Sequence, residues 1–196
     1  MRSLRWTTAD LELFPNDGKR REIIDGELYV STQPDWYHQL VGVELAASLR
    51  DWNRQIGRGV VNSAPGIVFD ADNAVAPDVI WISHERLAAA LDDSGHLQVA
   101  PELAIEILSP GSTNERRDRE AKLKLYSQQG VREYWIVDWR RRQVQVYRRE
   151  ELTLHLVGTL LEHDTLTSPL LAGFTLPLEQ LFAGLPRREG QVDPVT

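Results

Sequence analysis

The sequence predicts a mixed α/β (α+β) fold in which a mixed β-sheet is flanked by helices, and three patterns support this prediction. Residues 76–82 (APDVIWI) and 103–108 (LAIEIL) are short apolar runs, as expected of strands buried on both faces. Residues 112–129 begin with Ser-Thr-Asn-Glu and stop before Gly130, which are the start and stop signals of a strong helix. A further strand follows at 133–138 (EYWIVD), so this helix connects two strands, an arrangement typical of parallel neighbours.

The other elements add a hairpin at the start of the chain. Residues 21–30 (REIIDGELYV) form two strand-like runs around Asp25-Gly26, a preferred two-residue turn. We therefore expect an N-terminal β-hairpin. Further segments complete the prediction: helices at about 8–13, 35–54, 84–91 and 177–182, and strands at 59–69, 143–148 and 152–157.

Composition and charge limit the classes of function. The chain has 196 residues, 42% hydrophobic and 26% charged, which suits one domain over residues 1–183 followed by a flexible polar tail over 184–196. The absence of cysteine excludes disulfides, thiolate zinc sites and a cysteine nucleophile. The net charge of −7 means that any contact with nucleic acid needs a local basic surface. No apolar run approaches the roughly 18 residues that span a bilayer, and no signal peptide is evident, so no membrane contact and a cytoplasmic location are expected.

Glu106 is the most informative residue because it lies inside the apolar run 103–108. Carboxylates are almost never fully buried unless they are paired or bind a metal. The sequence leaves two roles open: an ion pair with a nearby Arg or Lys, or a metal ligand.

The position of Asp78 favours the second role, that of a metal ligand. Asp78 begins a second apolar strand directly after Pro77. A lone Asp at a strand edge more often caps a turn, but two acids on two apolar strands of one sheet are less common. Two hard oxygen ligands suit Mg²⁺ or Mn²⁺.

Lys122 supplies a cation on the apolar side of the predicted helix over 112–129. At about 100° per residue, Leu125 and Tyr126 lie on the same arc as Lys122, whereas Lys124 lies about 160° away. An inward lysine needs a partner. Asp118, four residues earlier, is the simplest structural partner, and an active site is the alternative.

These features together resemble the PD-(D/E)XK nuclease superfamily, and more narrowly its Uma-type restriction endonuclease branch. The resemblance covers roughly residues 8–183, and the joined pattern is far more specific than any single motif. The matching segments are 21–28 (REIIDGEL), 77–79 (PDV), 105–110 (IEILSP), Asp118 through Lys122 to Tyr126, 130–131 (GV) and 133–138 (EYWIVD).

The resemblance implies a restriction-endonuclease-like core and a nuclease that hydrolyses DNA with Mg²⁺ or Mn²⁺. It implies Asp78 and Glu106 as metal-binding carboxylates and the backbone carbonyl of Ile107 as a third metal contact. The superfamily usually has lysine where this chain has Leu108. The branch commonly places that lysine on the following helix, which corresponds to Lys122. Endonucleases that cut both strands often act as dimers, which leaves a homodimer open.

Two accessory residues also match the family. Glu22 corresponds to an acid near the metals, although an exposed position on the hairpin is the preferred interpretation. His38 corresponds to a helix histidine, a residue that more often packs or caps than catalyses. Two arginine clusters, 116–119 and 140–142, are typical of solvated surfaces but could meet phosphates.

Two rival functions stay open beside a DNA endonuclease. The fold could serve as a non-catalytic module that binds nucleic acid or protein. It could also act on a small phosphorylated substrate, which the negative net charge favours slightly. No serine-nucleophile motif, phosphate-binding glycine loop or dinucleotide fingerprint is present.

Overall fold

The computed structural model describes residues 4–186, and these residues form both helices and strands. The strands are, in chain order, β1 (Arg20–Ile24), β2 (Glu27–Ser31), β3 (Gly59–Ser63), β4 (Ile67–Asp70), β5 (Asn73–Val75), β6 (Val79–Ser83), β7 (Leu103–Ile107), β8 (Glu133–Asp138), β9 (Gln143–Glu150), β10 (Thr153–Leu161), β11 (Thr165–Thr167) and β12 (Thr175–Pro177). The helices are α1 (Trp36–Ile56), α2 (His84–Leu87), α3 (Ser112–Arg116), α4 (Leu123–Gln129) and α5 (Leu178–Phe182), with a 3₁₀ helix at Thr8–Leu13 and a π-helical turn at Arg117–Lys122.

A six-stranded mixed sheet with the order β10-β9-β8-β7-β6-β3 forms the centre. Strands β7 and β8 are parallel, and the other neighbours in this sheet are antiparallel. The helical segment 112–129 connects β7 to β8, as the sequence predicts. The predicted mixed sheet flanked by helices is therefore confirmed.

Strand alternation divides the core into two layers. Leu103, Ile105 and Ile107 on β7 pack into a cluster with residues of α1 and α5. Ala104 and Leu108, from the other face, pack with residues of α4. Since side chains alternate along a strand, Glu106 points to the layer that contains α4.

The N-terminal hairpin is also confirmed. Strands β1 and β2 pair from Arg20–Ser31 to Ile24–Glu27, with Asp25 and Gly26 in the turn. Both turn residues have positive φ, 51° and 75°, as a tight hairpin turn requires. The hairpin belongs to a second sheet with the order β2-β1-β5-β4, which brings β1 beside the chain that leads into β6.

Two sequence predictions need correction. The single strand predicted over 59–69 is two strands in different sheets, because Ala64 has a φ of 49° and Pro65 cannot donate to a ladder. The flexible tail predicted over 184–196 includes Leu185, which is only 6% exposed and belongs to the core cluster beside α1, so the start of this segment is packed. The rest of the predicted tail, 187–196, lies outside the described residues. No helix in the described range 4–186 is long and apolar enough to cross a membrane.

Candidate functional site

Lys122 lies among buried carboxylates. Its Nζ is 2.8 Å from Glu22 Oε1, 2.9 Å from Glu106 Oε1 and 3.8 Å from Asp118 Oδ1. The side chain is fully buried. The predicted inward orientation of Lys122 is therefore confirmed. The helix pair with Asp118 and the contact with Glu106 exist together, and the contact with Glu106 is much closer.

The π-helical turn Arg117–Lys122 carries three buried charged residues into the site: Arg117, Asp118 and Lys122. A π-helical turn interrupts regular α-helical bonding and is frequent at functional sites. Lys124, two residues further on, points away from the site, with its side chain 60% exposed and paired with Asp25. The predicted separation of the two lysines is confirmed.

Asp78 lies at the start of β6, beside Glu106. The antiparallel register pairs Val79 with Ile105, so the next position along places Asp78 opposite Glu106. The carboxylate of Asp78 accepts hydrogen bonds from Arg20 Nη1 at 3.0 Å and from the Ile107 backbone N–H at 2.9 Å. His38 Nε2 lies 3.2 Å from the same carboxylate. Burial raises the pKa of Asp78, but His38 and Arg20 together bring this pKa well below its usual range, so Asp78 stays ionised.

The site has more carboxylates than cations. Its carboxylates belong to Glu22, Asp78, Glu106 and Asp118, and its cations to Arg20, Arg117 and Lys122. This excess of negative charge disfavours ionisation of Glu106. Burial, and then the charges of Asp78, Asp118 and Glu22, raise the pKa of Glu106 to about 8, although Lys122 opposes this shift. Tyr126 Oη donates to the same Oε1 of Glu106 at 2.9 Å.

Glu22 is not the surface residue that the sequence favours, since it is only 1% exposed. Its Oε1 accepts from the Ala76 backbone N–H at 2.9 Å, besides contacting Lys122. Burial raises the pKa of Glu22, but Lys122 and Arg117 outweigh burial and leave this pKa below its ordinary value. Among the residues that the structure describes, Glu22 Oε2 has no hydrogen-bond partner. The preference for an exposed Glu22 is therefore wrong.

His38 lies near the start of α1, where the Asp35 side chain caps the helix by accepting from the His38 backbone N–H at 2.9 Å. The His38 ring is almost fully buried and faces Asp78 through Nε2. Its Nδ1 has no hydrogen-bond partner within the described chain. The geometry fits a residue that orients Asp78.

The site contains three further residues that the sequence analysis did not identify. Arg20 contacts Asp78, Arg117 bonds Asp118 at 2.8 Å, and Tyr126 bonds Glu106. Only Tyr126 carried a signal, because it shares the helical arc of Lys122. Arg20 and Asp78 are 58 residues apart in the chain, so no local sequence pattern predicts their contact.

The predicted arginine clusters do not form a free basic surface. Arg117 is buried, Arg116 pairs with Glu120, and Arg119 lies near Glu115. In the second cluster, Arg140 pairs with Glu115 and Arg142 with Glu162.

The residues present fit a hard divalent cation. Within residues 4–186, no three His, Cys, Asp or Glu side chains are arranged to hold a metal ion. A cation here would depend on Asp78 and Glu106, with the Ile107 carbonyl and water, and Mg²⁺ is commonly bound by one or two carboxylates. Glu22 Oε2 is a further buried carboxylate oxygen in the same cluster; it has no hydrogen bond within the described residues but lies 3.5 Å from Arg117 Nη1.

Comparison with known proteins identifies the family and the fold. A family model described as "Uma2: Putative restriction endonuclease" matches residues 8–179. A solved structure of a "putative nuclease belonging to DUF820" from Anabaena variabilis ATCC 29413 is similar, with a TM-score of 0.71 and 18% identity, over 90% of this chain and 97% of that chain. No curated protein matches the chain. At this identity the structural likeness shows the fold, which is restriction-endonuclease-like. The family match covers most of the chain and confirms the resemblance read from the motifs: the chain belongs to the Uma2 family of the PD-(D/E)XK nuclease superfamily.

Proposed function

We propose that this chain is a metal-dependent endonuclease that hydrolyses phosphodiester bonds in DNA. One observation carries the proposal: the buried amine of Lys122 lies 2.9 Å from Glu106, and the carboxylate of Asp78 accepts a hydrogen bond from the backbone N–H of Ile107, the next residue along β7. Family membership supports a nuclease. Mg²⁺ or Mn²⁺ is the cofactor that the donor oxygens favour.

The two carboxylates have distinct tasks. When bound, the divalent cation supplies a Lewis acid for a phosphate oxygen and a water of lowered pKa. Asp78, held ionised by His38 and Arg20, provides a ligand oxygen in a fixed orientation. Glu106 provides the second ligand, oriented by its hydrogen bond from Tyr126.

Lys122 is the cation nearest Glu106, whereas Arg20 is the cation nearest Asp78. Burial lowers the pKa of Lys122, but Glu106, Glu22 and Asp118 more than reverse this effect and keep the amine protonated. A protonated amine at this position can stabilise negative charge that develops on the phosphate, or orient the attacking water. Glu22 holds the amine from its other side at 2.8 Å.

The test is a cleavage assay with purified protein on supercoiled, linear and single-stranded DNA, with Mg²⁺ or Mn²⁺. We expect the wild type to cut at least one DNA form. Asp78→Ala and Lys122→Ala should lose activity by about 100-fold or more, and the matched surface variant Lys124→Ala should retain it. Equal cutting by the wild type and both site variants would reject these assignments.

A non-catalytic binding module on the same fold is the second candidate. This candidate is favoured because the charged groups of the site already pair with one another. Lys122 contacts two carboxylates, and Asp78 has three partners. Calorimetric titration with Mn²⁺ separates the two functions. Binding that disappears in Glu106→Gln supports the nuclease, and no Mn²⁺ binding by the wild type supports the module. A homodimer and a cytoplasmic location stay predictions.

A further inference from the structure

A groove of about 560 Å³ runs from the candidate site along α1. At one end it is lined by Asp78, His38, Arg20 and Ile107, which belong to the site or contact it. At the other end, more than three turns further along the helix, it is lined by Arg50 and Arg54 and by the acid Asp51 that pairs with Arg54. The groove therefore connects the proposed reaction centre with a second, basic position.

The wall between these ends is one face of α1. The lining positions 39, 42, 43, 46, 47, 50 and 54 recur at intervals of three and four residues, which places them on one side of the helix. Gly42, Ala46 and Ala47 in the middle carry little or no side chain. A Cβ built on Gly42 would lie 3.4 Å from Ile107 Cδ1, so the helix also approaches β7 closely here. The middle of the groove is consequently open and has few polar groups.

The polar groups at the ends of the groove are suited to phosphate. Arg50 is exposed, and within residues 4–186 its guanidinium has no hydrogen-bond or ion-pair partner. Arg54 pairs with Asp51 at 2.7 Å, but both side chains are 69% exposed, and such exposed pairs are weak enough to exchange partners. His38 lines the other end, is only 4% exposed and leaves Nδ1 without a hydrogen bond in the described chain.

The two arginines lie well away from the candidate site along α1. From His38 to Arg50 and Arg54 the helix rises about 18 and 24 Å, at about 1.5 Å per residue. A phosphate bound at either arginine would therefore be several nucleotides away from a phosphate at Asp78. Unlike the two arginine clusters at 116–119 and 140–142, this groove contains an exposed arginine, Arg50, without a partner in the described chain, and it leads directly to Asp78.

We propose that one DNA strand lies in this groove, with Arg50 and Arg54 binding backbone phosphates several nucleotides from the phosphate held at Asp78. The proposal rests on the proposed function and names the path of its substrate. It offers a way for a chain with a net charge of −7 to bind a polyanion: a local pair of arginines lies in line with the site.

The test measures binding of a fluorescent DNA duplex in EDTA, where hydrolysis is blocked, as a function of salt. Arg50→Ala/Arg54→Ala removes both phosphate contacts. Arg132→Ala is the matched control, since Arg132 is an exposed arginine outside the groove. We expect the slope of log K against log [salt] to fall by about two in the double variant and to stay unchanged in the control. Arg50→Lys, which keeps the charge, should recover most of the affinity that Arg50→Ala loses.

The outcomes separate this proposal from the proposed function. An unchanged slope and affinity in the double variant would contradict DNA binding in the groove, even if the wild type cuts DNA with Mg²⁺. Loss of binding in the double variant alone would support the groove, even if the wild type never cuts. A wild type that neither binds nor cuts DNA would overturn both.

Discussion

The Lys122 amine and the Glu106 carboxylate lie 2.9 Å apart, and both side chains are almost fully buried. Sixteen residues separate them, and the contact exists because β7 turns its Glu106 toward the helical segment that follows it. A buried charge pair of this kind is weak support for stability by itself, because desolvation offsets much of the attraction. Its location beside Asp78 is what gives it a functional interpretation.

Removing the Lys122 charge should destabilise the protein. Lys122→Met leaves the ionised carboxylate of Glu22 buried without the amine 2.8 Å away, and breaking a buried pair in this way costs about 3–5 kcal/mol. Urea denaturation of the metal-free protein at neutral pH measures the free energy of unfolding. Lys124→Met, on the exposed side of the helix, should change it little. Equal stability of both variants would contradict the structural role of Lys122.

Neutralising the Glu22 carboxylate should restore part of that loss. In the double variant Glu22→Gln/Lys122→Met, fewer buried charges lack a partner, so we expect higher stability than in Lys122→Met alone. A double-mutant cycle from the same denaturation curves gives the coupling energy, which for such contacting groups is about 0.5–3 kcal/mol. A coupling energy near zero would show that Glu22 and Lys122 act independently.

The metal-free protein should become less stable as pH rises through the range in which Glu106 titrates. The folded-state pKa of Glu106 is about 8, against an ordinary value of 4.5, so between these values the folded state binds a proton that the unfolded state releases. The contribution of Glu106 to stability is therefore present at acid pH and is lost as pH rises through this window, by up to about 1.4 kcal/mol per pH unit.

The isosteric variant Glu106→Gln is the control for this titration. The amide at this position cannot ionise. The free energy of unfolding of the variant, measured from pH 5 to 8 in EDTA, should therefore lack the pH-dependent loss that Glu106 causes. The wild type should therefore lose stability relative to Glu106→Gln as pH rises. Parallel pH curves for the two proteins would exclude a raised pKa at Glu106.

His38 should act through Asp78. His38→Ala removes the ring that lies 3.2 Å from the Asp78 carboxylate, and loss of such an orienting partner typically weakens metal affinity by about 10–100-fold. Titration with Mn²⁺ by electron paramagnetic resonance measures this affinity independently of cleavage. His84→Ala, an exposed histidine at the start of α2, should bind Mn²⁺ as the wild type does. Wild-type affinity in His38→Ala would leave His38 with a packing role.

Local sequence patterns predicted the parts of the site that local geometry determines. Glu106 interrupts an apolar strand, and Lys122 interrupts an apolar helical arc, so both had to face the interior. Glu22 gave no comparable signal, because alternation along a hairpin does not tell which face the remaining chain covers. Its burial depends on Lys122, 100 residues later in the chain.

Most of the fold was predictable for the same reason. The prediction failed where pairing between distant strands determines the structure. The order of strands and the crossover helix follow from apolar runs and from stop signals such as Gly130, which has a φ of 85° at the end of α4. The break between β3 and β4 has a local signal in Pro65-Gly66, a turn dipeptide, which the prediction of one strand over 59–69 did not take into account. Their division depends on which sheet each half joins.

A crystal structure determined with Mn²⁺, using anomalous scattering to locate the ion, tests the central claim most directly. We expect an ion bound by the carboxylates of Asp78 and Glu106 and the carbonyl of Ile107, with the amine of Lys122 nearby. Anomalous density absent from this position at saturating Mn²⁺, in a protein with intact Asp78 and Glu106, would contradict a metal-dependent nuclease site.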